Sequence, residues 1–357
     1  MNDKGEDKGS LLNSFENLPT ELLQGPIGKF MSTEDLLALS KVSSTLFFTY
    51  CDRLATTLLS HIVKGEEAEA LKMIAAKPSL LCTRAKATDY SGRSYKDVTP
   101  FQAALLCHDS TMMLKMEPYF DKLPNGAAEK LSQFRQLFPD GLPQQKPYDF
   151  TWIIQVFSES QDDDLEAAFR RENNNTPFDQ ALKKFRETFT DLVMKEIFFN
   201  PSHFITALKI YDTQFKSWSD TQRNSFWGTI VGYTQRFLPA CYAQAICQGL
   251  YLILKEKKPL SRSFNFTYNN GEYYPLTNSY FSLGFNFAVW WPPEQPPPFR
   301  QLPGCAGTLA HPTDPGEGER LASGFDQLCR ASKAELLRLE RRIRHVEAPY
   351  WSWCAIS

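Results

Sequence analysis

Apolar residues recur at intervals of three or four positions through most of the chain, and this spacing predicts a mainly α-helical fold. The clearest stripe follows Pro177 and consists of Phe178, Leu182, Phe185, Phe189, Leu192 and Val193. Similar spacing predicts helices over 66–76, 201–214 and 221–235. Residues 239–254 are apolar on several sides, so we expect them to form a central helix.

Two stretches interrupt the helical pattern. Residues 121–150 are rich in proline, glycine and glutamine, and we expect them to form a connector. Residues 262–291 are aromatic and favour β-structure, with Asn269-Asn270-Gly271 as a candidate hairpin turn. The proline-rich stretch 292–318 predicts an irregular loop, and helical spacing returns over 320–345.

Composition narrows the class of protein. Apolar residues make up 42% of the chain and charged residues 22%, as in a globular protein. The formal net charge of −2 argues against a dedicated nucleic-acid binder, which would carry a basic excess. The eight cysteines and five histidines lack metal-ligand spacing, so no zinc site or other cofactor is expected. No apolar run reaches the roughly 18 residues that a membrane-spanning helix needs.

A motif near the N-terminus carries the strongest functional signal. In chain order it consists of Leu18-Pro19, Glu21-Leu22-Leu23, Ile27, Met31, Asp35-Leu36 and Val42-Ser43. This order resembles the F-box, a unit of three small helices that docks its apolar face into the Skp adaptor of Skp–cullin–F-box ubiquitin ligases. The resemblance implies a Skp-binding set that comprises Leu18, Pro19, Leu22, Ile27, Leu36 and Val42.

The physical chemistry of this segment agrees with an interface. It has more aliphatic surface than a unit of its size can bury alone, and contiguous exposed apolar surface marks an interaction site. The segment departs from the F-box pattern at Gly25-Pro26, which adds one residue between Leu23 and Ile27. A proline inside a helix costs about 3 kcal/mol, so we expect the first helix to kink or end there. The alternative is an ordinary helical hairpin with internal aliphatic packing.

A second set of motifs follows the first. Pro78-Ser79-Leu80-Leu81, Asp89-Tyr90-Ser91-Gly92-Arg93 and Thr99-Pro100-Phe101-Gln102-Ala103-Ala104 occur in the order of degenerate ankyrin repeats. The stretch 89–109 also resembles a segment of Legionella-type secreted effectors that combine an F-box with ankyrin-like helices. One or two repeats cannot bury a solenoid core alone, so we expect them to pack on neighbouring helices. The alternative is a generic pair of antiparallel helices.

The last four residues, Cys354-Ala355-Ile356-Ser357, match a prenylation box of the farnesyl type. One lipid chain binds a membrane only marginally, so a second signal is needed. Candidates for that signal are Arg338, Arg341, Arg342, Arg344, Tyr350, Trp351 and Trp353. The alternative for the arginines is a solvated helix face that pairs with Glu335 and Glu340.

The common catalytic motifs of nucleotide-binding, zinc-protease and serine-hydrolase enzymes do not occur in the chain. A thiol catalyst would require Cys241 or Cys247 to meet His203. Glu317-Gly318-Glu319 has a loose similarity to the acidic pair of ADP-ribosyltransferases. Such an enzyme would also use Arg262, with Thr277-Asn278-Ser279 upstream of the acidic pair.

These observations predict a non-enzymatic substrate receptor. It would join the Skp adaptor and cullin ligase to an unknown target protein, without binding nucleic acid. We expect a secreted bacterial effector in the host cytoplasm, held at the cytoplasmic face of host membranes by farnesylated Cys354. The alternatives are a toxin-type transferase in the C-terminal half and a membrane-tethered scaffold without a ligase role.

The corresponding domain prediction has seven segments. In chain order they are a disordered N-terminus (1–14), the F-box (15–58), an ankyrin-like helical unit (59–121), a central helical domain (122–258), a β-containing and proline-rich segment (259–319), a C-terminal helix (320–347) and a tail with the prenylation box (348–357).

Overall fold

Helices dominate the computed structural model, as the apolar spacing predicts. The structure describes residues 15–169, 175–248, 250–260, 262, 266–268, 271–274 and 314–345. Among the described residues, no helix is both long and apolar enough to cross a membrane.

The first helix, α1, has three parts: Thr20–Leu22, a π-helical turn over Leu23–Ile27, and Gly28–Phe30. The next elements are α2 (Thr33–Val42), α3 (Ser44–Val63), α4 (Glu67–Ala76), a 3₁₀ turn (Pro78–Cys82), β1 (Ala85–Thr88), β2 (Ser94–Val98), α5 (Pro100–Leu106), α6 (Ser110–Phe120) and α7 (Gly126–Leu137).

The second half of the chain continues with α8 (Thr151–Glu159), α9 (Asp162–Phe169), α10 (Pro177–Lys195) and α11 (Ser202–Gln214). The helix α12 comprises Asp220–Phe226, a π-helical turn over Trp227–Val231, and Gly232–Gln235. The last elements are α13 (Ala240–Gln248), α14 (Leu250–Leu254), β3 (Phe266–Tyr268), β4 (Gly271–Tyr274) and α15 (Glu317–His345).

Two hydrophobic cores organise these elements. The first lies among α1–α7 and includes fully buried Leu36, Leu54, Ile74 and Phe101. Helix α3 begins inside the expected F-box and continues past its expected end at residue 58. The predicted F-box and the predicted ankyrin-like unit therefore share one core. That core also includes Leu131 and Phe134 of α7.

The second core is aromatic and lies among α8–α14. The stripe on α10 faces it, as the spacing of its apolar residues predicts, with Phe185 and Phe189 fully buried. Phe157 meets Phe178 and Phe226 edge to face, with ring centroids 5.0 and 5.2 Å apart. Such geometry adds about 0.5–1.5 kcal/mol per pair to area burial.

Helix α15 joins the two cores. Its first half places Phe325 against Phe204, with ring centroids 5.1 Å apart in the second core. Its second half places Leu336 and Leu339 in the first core. Between these two halves, the Ser332 hydroxyl donates a hydrogen bond to the His108 carbonyl at 2.6 Å. The C-terminal helix is therefore an integral part of the fold.

Two local predictions differ from the structure. Within the expected connector 121–150, residues Gly126–Leu137 form α7. Within the expected all-helical unit, β1 and β2 pair as an antiparallel hairpin. Most of the expected central helix over 239–254 is helical, as Ala240–Gln248 (α13) and Leu250–Leu254 (α14), and residue 249 between them lies outside the described residues. The predicted aromatic hairpin agrees with antiparallel β3 and β4, although its turn residues Asn269 and Asn270 lie outside the described residues.

Candidate docking surface

Side-chain caps fix the boundaries of the N-terminal helices. Ser32 and Asp35 form a capping box at the start of α2, with both main-chain-to-side-chain bonds at 3.1 Å. Ser43 accepts a bond from the Leu46 amide at 3.1 Å and so begins α3 directly after α2. The motif therefore runs from the start of α1 through α2 to Ser43, the residue that precedes α3.

The first helix continues through Gly25-Pro26. Residues Leu23–Ile27 form a π-helical turn, which accommodates one more residue per turn than an α-helix. The Gly28 amide then donates to the carbonyls of Leu23 and Gly25, and helical geometry resumes. The helix does not end at the proline, because the extra residue is taken up inside it.

Side chains from α3 hold this unusual turn. The Tyr50 hydroxyl donates to the Leu23 carbonyl at 3.0 Å. Arg53 donates to the Met31 carbonyl at 2.8 Å and also to the Gly28 carbonyl. These bonds satisfy acceptors at the end of α1 that a helix alone leaves without partners. The turn is therefore positioned by α3 and is not an isolated irregularity.

Two glycines of α1 provide a matched test of this packing. A Cβ added to Gly28 would lie 2.5 Å from the Leu23 carbonyl oxygen and 3.2 Å from the Tyr50 ring. A Cβ added to Gly25 would meet nothing within 4 Å. We expect Gly28→Ala to lower the free energy of unfolding by about 1–3 kcal/mol, because the turn must shift. Urea denaturation followed by circular dichroism measures the change.

Gly25→Ala is the control for that substitution. Alanine is the better helix former by about 0.8–1.0 kcal/mol, so this variant should be neutral or slightly more stable. Equal destabilisation by both substitutions would contradict the described packing of α1 against α3.

The six residues of the predicted Skp-binding set are not equally accessible. Pro19 is exposed, and Leu18 and Ile27 are half-buried. Leu22 and Val42 have exposed fractions of 44% and 62%, which is high for aliphatic side chains. Leu36 is fully buried in the first core and so supports the unit from within.

The structure adds two exposed aromatic side chains to this region. Phe30, the last residue of α1, is 91% exposed, and Phe48 in α3 is 75% exposed. The motif contains neither residue. Phe47 and Phe48 are adjacent on a helix, where successive positions point about 100° apart, so the two rings cannot both face the core. In the structure Phe47 packs inward and Phe48 faces solvent. We define the docking surface as Pro19, Leu22, Phe30, Val42 and Phe48.

A buried polar network holds the Thr99-Pro100 motif and the 3₁₀ turn over Pro78–Cys82. Thr99 and Gln102 form a capping box at the start of α5, which contains the Thr-Pro sequence. The Thr99 hydroxyl also donates to the Gln133 side chain at 2.6 Å, and the Gln133 amide donates to the Leu81 carbonyl at 3.0 Å. Gln133 of α7 thus ties the 3₁₀ turn to α5.

A buried ion network lies where the two cores meet. Arg262 is paired with Asp109, and its Nε lies 3.4 Å from a carboxylate oxygen of Glu67. Their side chains are only 5%, 4% and 10% exposed, respectively. Glu67 is also paired with Lys115, and Gln244 donates to the Arg262 carbonyl. The network connects the start of α4, the start of α6 and α13 to the chain beyond α14.

Cys241 and His203, the described side chains of the candidate thiol catalyst, each contact other groups. Burial raises the pKa of Cys241 well above its usual range, and the thiol donates to the Cys107 carbonyl at 3.8 Å. His203 contacts both carboxylate oxygens of Glu196 at 3.0 Å and accepts a bond from the Tyr148 amide at 2.8 Å. The Cys247 side chain lies outside the described residues.

The candidate transferase residues lie in separate surroundings. Arg262 belongs to the buried ion network, whereas Glu319 is exposed and lies 3.7 Å from Lys209. Glu317 is buried in the first turn of α15, 3.5 Å from Arg320. Thr277-Asn278-Ser279 lies outside the described residues. Within the described ranges, no group of three or more histidine, cysteine, aspartate or glutamate side chains is arranged to hold a metal ion.

The C-terminal arginines take part in ion pairs. Arg338 pairs with Glu335, as the solvated-face alternative predicts, and Arg342 lies 2.9 Å from Glu117 of α6. The Arg344 side chain, the aromatic residues of the tail and Cys354 lie outside the described residues.

Comparison with known proteins gives one informative similarity. No protein-family model matches the chain, and no solved structure matches it. An uncharacterized protein of Coxiella burnetii (strain RSA 493 / Nine Mile phase I) is 24% identical over 251 residues. The aligned region is 67% of this chain and 63% of the relative, so the chain spans less than two thirds of that relative's length.

Proposed function

We propose that the chain is a substrate receptor of a Skp–cullin ubiquitin ligase and that its N-terminal helices bind the Skp adaptor. One observation supports this proposal above the others. The N-terminal unit has a filled core, with Leu36, Leu46 and Leu54 fully buried, and still presents Leu22 and Val42 to solvent. Exposed apolar side chains that form a contiguous patch on a packed unit indicate a partner.

The amount of apolar surface is sufficient for specific binding. Burial of one aliphatic or aromatic side chain of this size contributes about 1.5–3 kcal/mol. The docking surface offers four such side chains together with Pro19. A few well-packed anchor residues dominate the energy of most protein interfaces, and these side chains would supply such anchors if the adaptor buries them.

The remainder of the chain suits the presentation of a target. Helix α3 carries docking residues near its start and enters the core of the ankyrin-like unit at its end. A target bound to the surface over 61–258 would thus be held at a fixed distance from the adaptor. The cullin assembly would supply the chemistry of ubiquitin transfer, so the receptor needs no catalytic residue.

The cellular setting belongs to the same proposal. A receptor that docks on a Skp adaptor works in a host cell, in the cytoplasm and at the cytoplasmic face of membranes. Similarity to a Coxiella burnetii protein is compatible with a bacterial source. Farnesylation of Cys354 stays a prediction from the sequence.

Co-purification with the human Skp adaptor tests the proposal. Wild type should retain the adaptor, and Leu18→Ala/Pro19→Ala should lose it, because the two positions begin the docking motif. Met194→Ala/Ile197→Ala is the control, since both side chains are exposed on a different part of the fold. Circular dichroism establishes that all three proteins are folded. Failure of folded wild type to bind would favour a scaffold without a ligase role.

A further inference from the structure

The outward face of the second half of α15 is basic. Between residues 330 and 342 the chain has five basic residues and two acidic ones, although its overall net charge is −2. The five are Arg330, Lys333, Arg338, Arg341 and Arg342, and all of them are exposed.

The ion pairs of this face leave its positive charges outermost. In each of three pairs the basic side chain is more exposed than its acidic partner. The exposed fractions are 79% and 33% for Arg330 and Asp326, 63% and 31% for Arg338 and Glu335, and 56% and 17% for Arg342 and Glu117. A partner that approaches from solvent therefore meets guanidinium groups before carboxylates.

Folding alone does not account for this face. The inner side of the helix supplies the core contacts, through Cys329, Leu336 and Leu339. The helix dipole favours basic residues only in the last turn, whereas Arg330 and Lys333 lie three turns or more before the end at His345. Exposed ion pairs contribute little to stability.

We propose that the basic face of α15, defined by Arg330, Lys333, Arg338, Arg341 and Arg342, binds an anionic membrane surface. Each basic side chain near such a surface contributes about 1 kcal/mol, a factor of about five in affinity. Leu337 is 40% exposed within the same face, which suits contact with a lipid boundary. A nucleic-acid site would lack a role for this leucine and would sit on a chain with net negative charge.

The inference deepens the membrane location in the proposed function and rests on it. Its physical basis is nevertheless separate from Skp binding, because the basic face and the docking surface share no residue. Full-length protein made in bacteria, without a lipid on Cys354, isolates the contribution of the folded helix.

Flotation with lipid vesicles tests the inference. Wild type should bind vesicles of phosphatidylcholine with about 30% phosphatidylserine, which carry negative charge as the cytoplasmic leaflet does. It should not bind vesicles of phosphatidylcholine alone. Lys333→Glu/Arg341→Glu should weaken the partition coefficient by about thirtyfold or more, because two basic contributions are lost. Lys183→Glu/Lys195→Glu is the matched control, with the same charge change on exposed positions of α10.

The outcomes separate this inference from the docking proposal. Retained adaptor binding by Lys333→Glu/Arg341→Glu, together with lost vesicle binding, supports the basic face as a distinct site. Equal loss in the α10 control, binding to neutral vesicles, or tighter binding to a short DNA duplex than to anionic vesicles would overturn it. If the double variant does not fold, Arg341→Gln and the salt dependence of wild-type binding provide the test, since screening must weaken the interaction.

Discussion

Arg262→Met should lower the free energy of unfolding by about 3–5 kcal/mol, because it leaves the buried carboxylate of Asp109 without its basic partner. The side chains of Arg262 and Asp109 are 5% and 4% exposed, so water does not replace the lost interaction. Urea denaturation followed by circular dichroism measures the effect. A loss below about 1 kcal/mol would contradict the described network.

Two further variants test whether the unpaired charge of Asp109 causes the loss of stability. Adding Asp109→Asn to Arg262→Met removes the unpaired buried charge. In the wild type the Asp109 carboxylate accepts a hydrogen bond from the Met112 amide and so caps α6. The amide oxygen of an asparagine at this position keeps that cap. Part of the lost stability should return. Arg330→Met is the surface control: its pair with Asp326 is largely exposed, so its loss should cost at most about 1 kcal/mol.

Leu22→Gln/Val42→Gln should weaken binding to the Skp adaptor by about a thousandfold without loss of stability. Each position is a candidate hot spot, and hot-spot substitutions cost about 2 kcal/mol or more, or about thirtyfold in affinity. Both side chains are exposed in the free protein, and such surface substitutions change stability by about 0.5 kcal/mol or less. Biolayer interferometry with immobilised adaptor measures the affinity.

Ile197→Gln is the control for this prediction. Its side chain is 72% exposed, more than that of either docking residue, but it lies beyond α10. It should bind as wild type does. An equal loss of affinity in the control would show that general surface hydrophobicity, and not the N-terminal unit, drives the association.

The helical character of the chain was predictable because apolar spacing follows burial directly. The stripe on α10 shows this, since the residues spaced at three or four positions face the second core. Helix α7 was missed for a physical reason. Gly126 suggested a connector, but a Cβ there would lie 1.8 Å from the Phe120 carbonyl oxygen, so the glycine permits close packing between α6 and α7.

The hairpin of β1 and β2 carries a weak sequence signal. Lys86 and Lys96 are exposed, and the strands contain few of the residues that favour β-structure. The turn between them depends on Asp89, whose carboxylate accepts bonds from the amides of Ser91 and Arg93 at 2.9 and 3.1 Å. This turn is built from local polar contacts, so apolar spacing does not reveal it.

The candidate site was predictable only in part. The motif located the exposed residues Leu22 and Val42, but spacing alone did not show that Leu36 faces inward and that Phe30 faces solvent. The ion network was beyond sequence reasoning, because Arg262 and Asp109 are 153 positions apart. Their contact results from packing of the two cores.

Isothermal titration of the purified human Skp adaptor with the full-length chain tests the central claim most directly. We expect one-to-one binding with a negative heat-capacity change, because apolar side chains leave water on association. We also expect Leu22→Gln/Val42→Gln to abolish the heat of binding. Absence of binding by folded wild-type protein at any temperature would contradict the assignment of the N-terminal helices as an adaptor-docking unit.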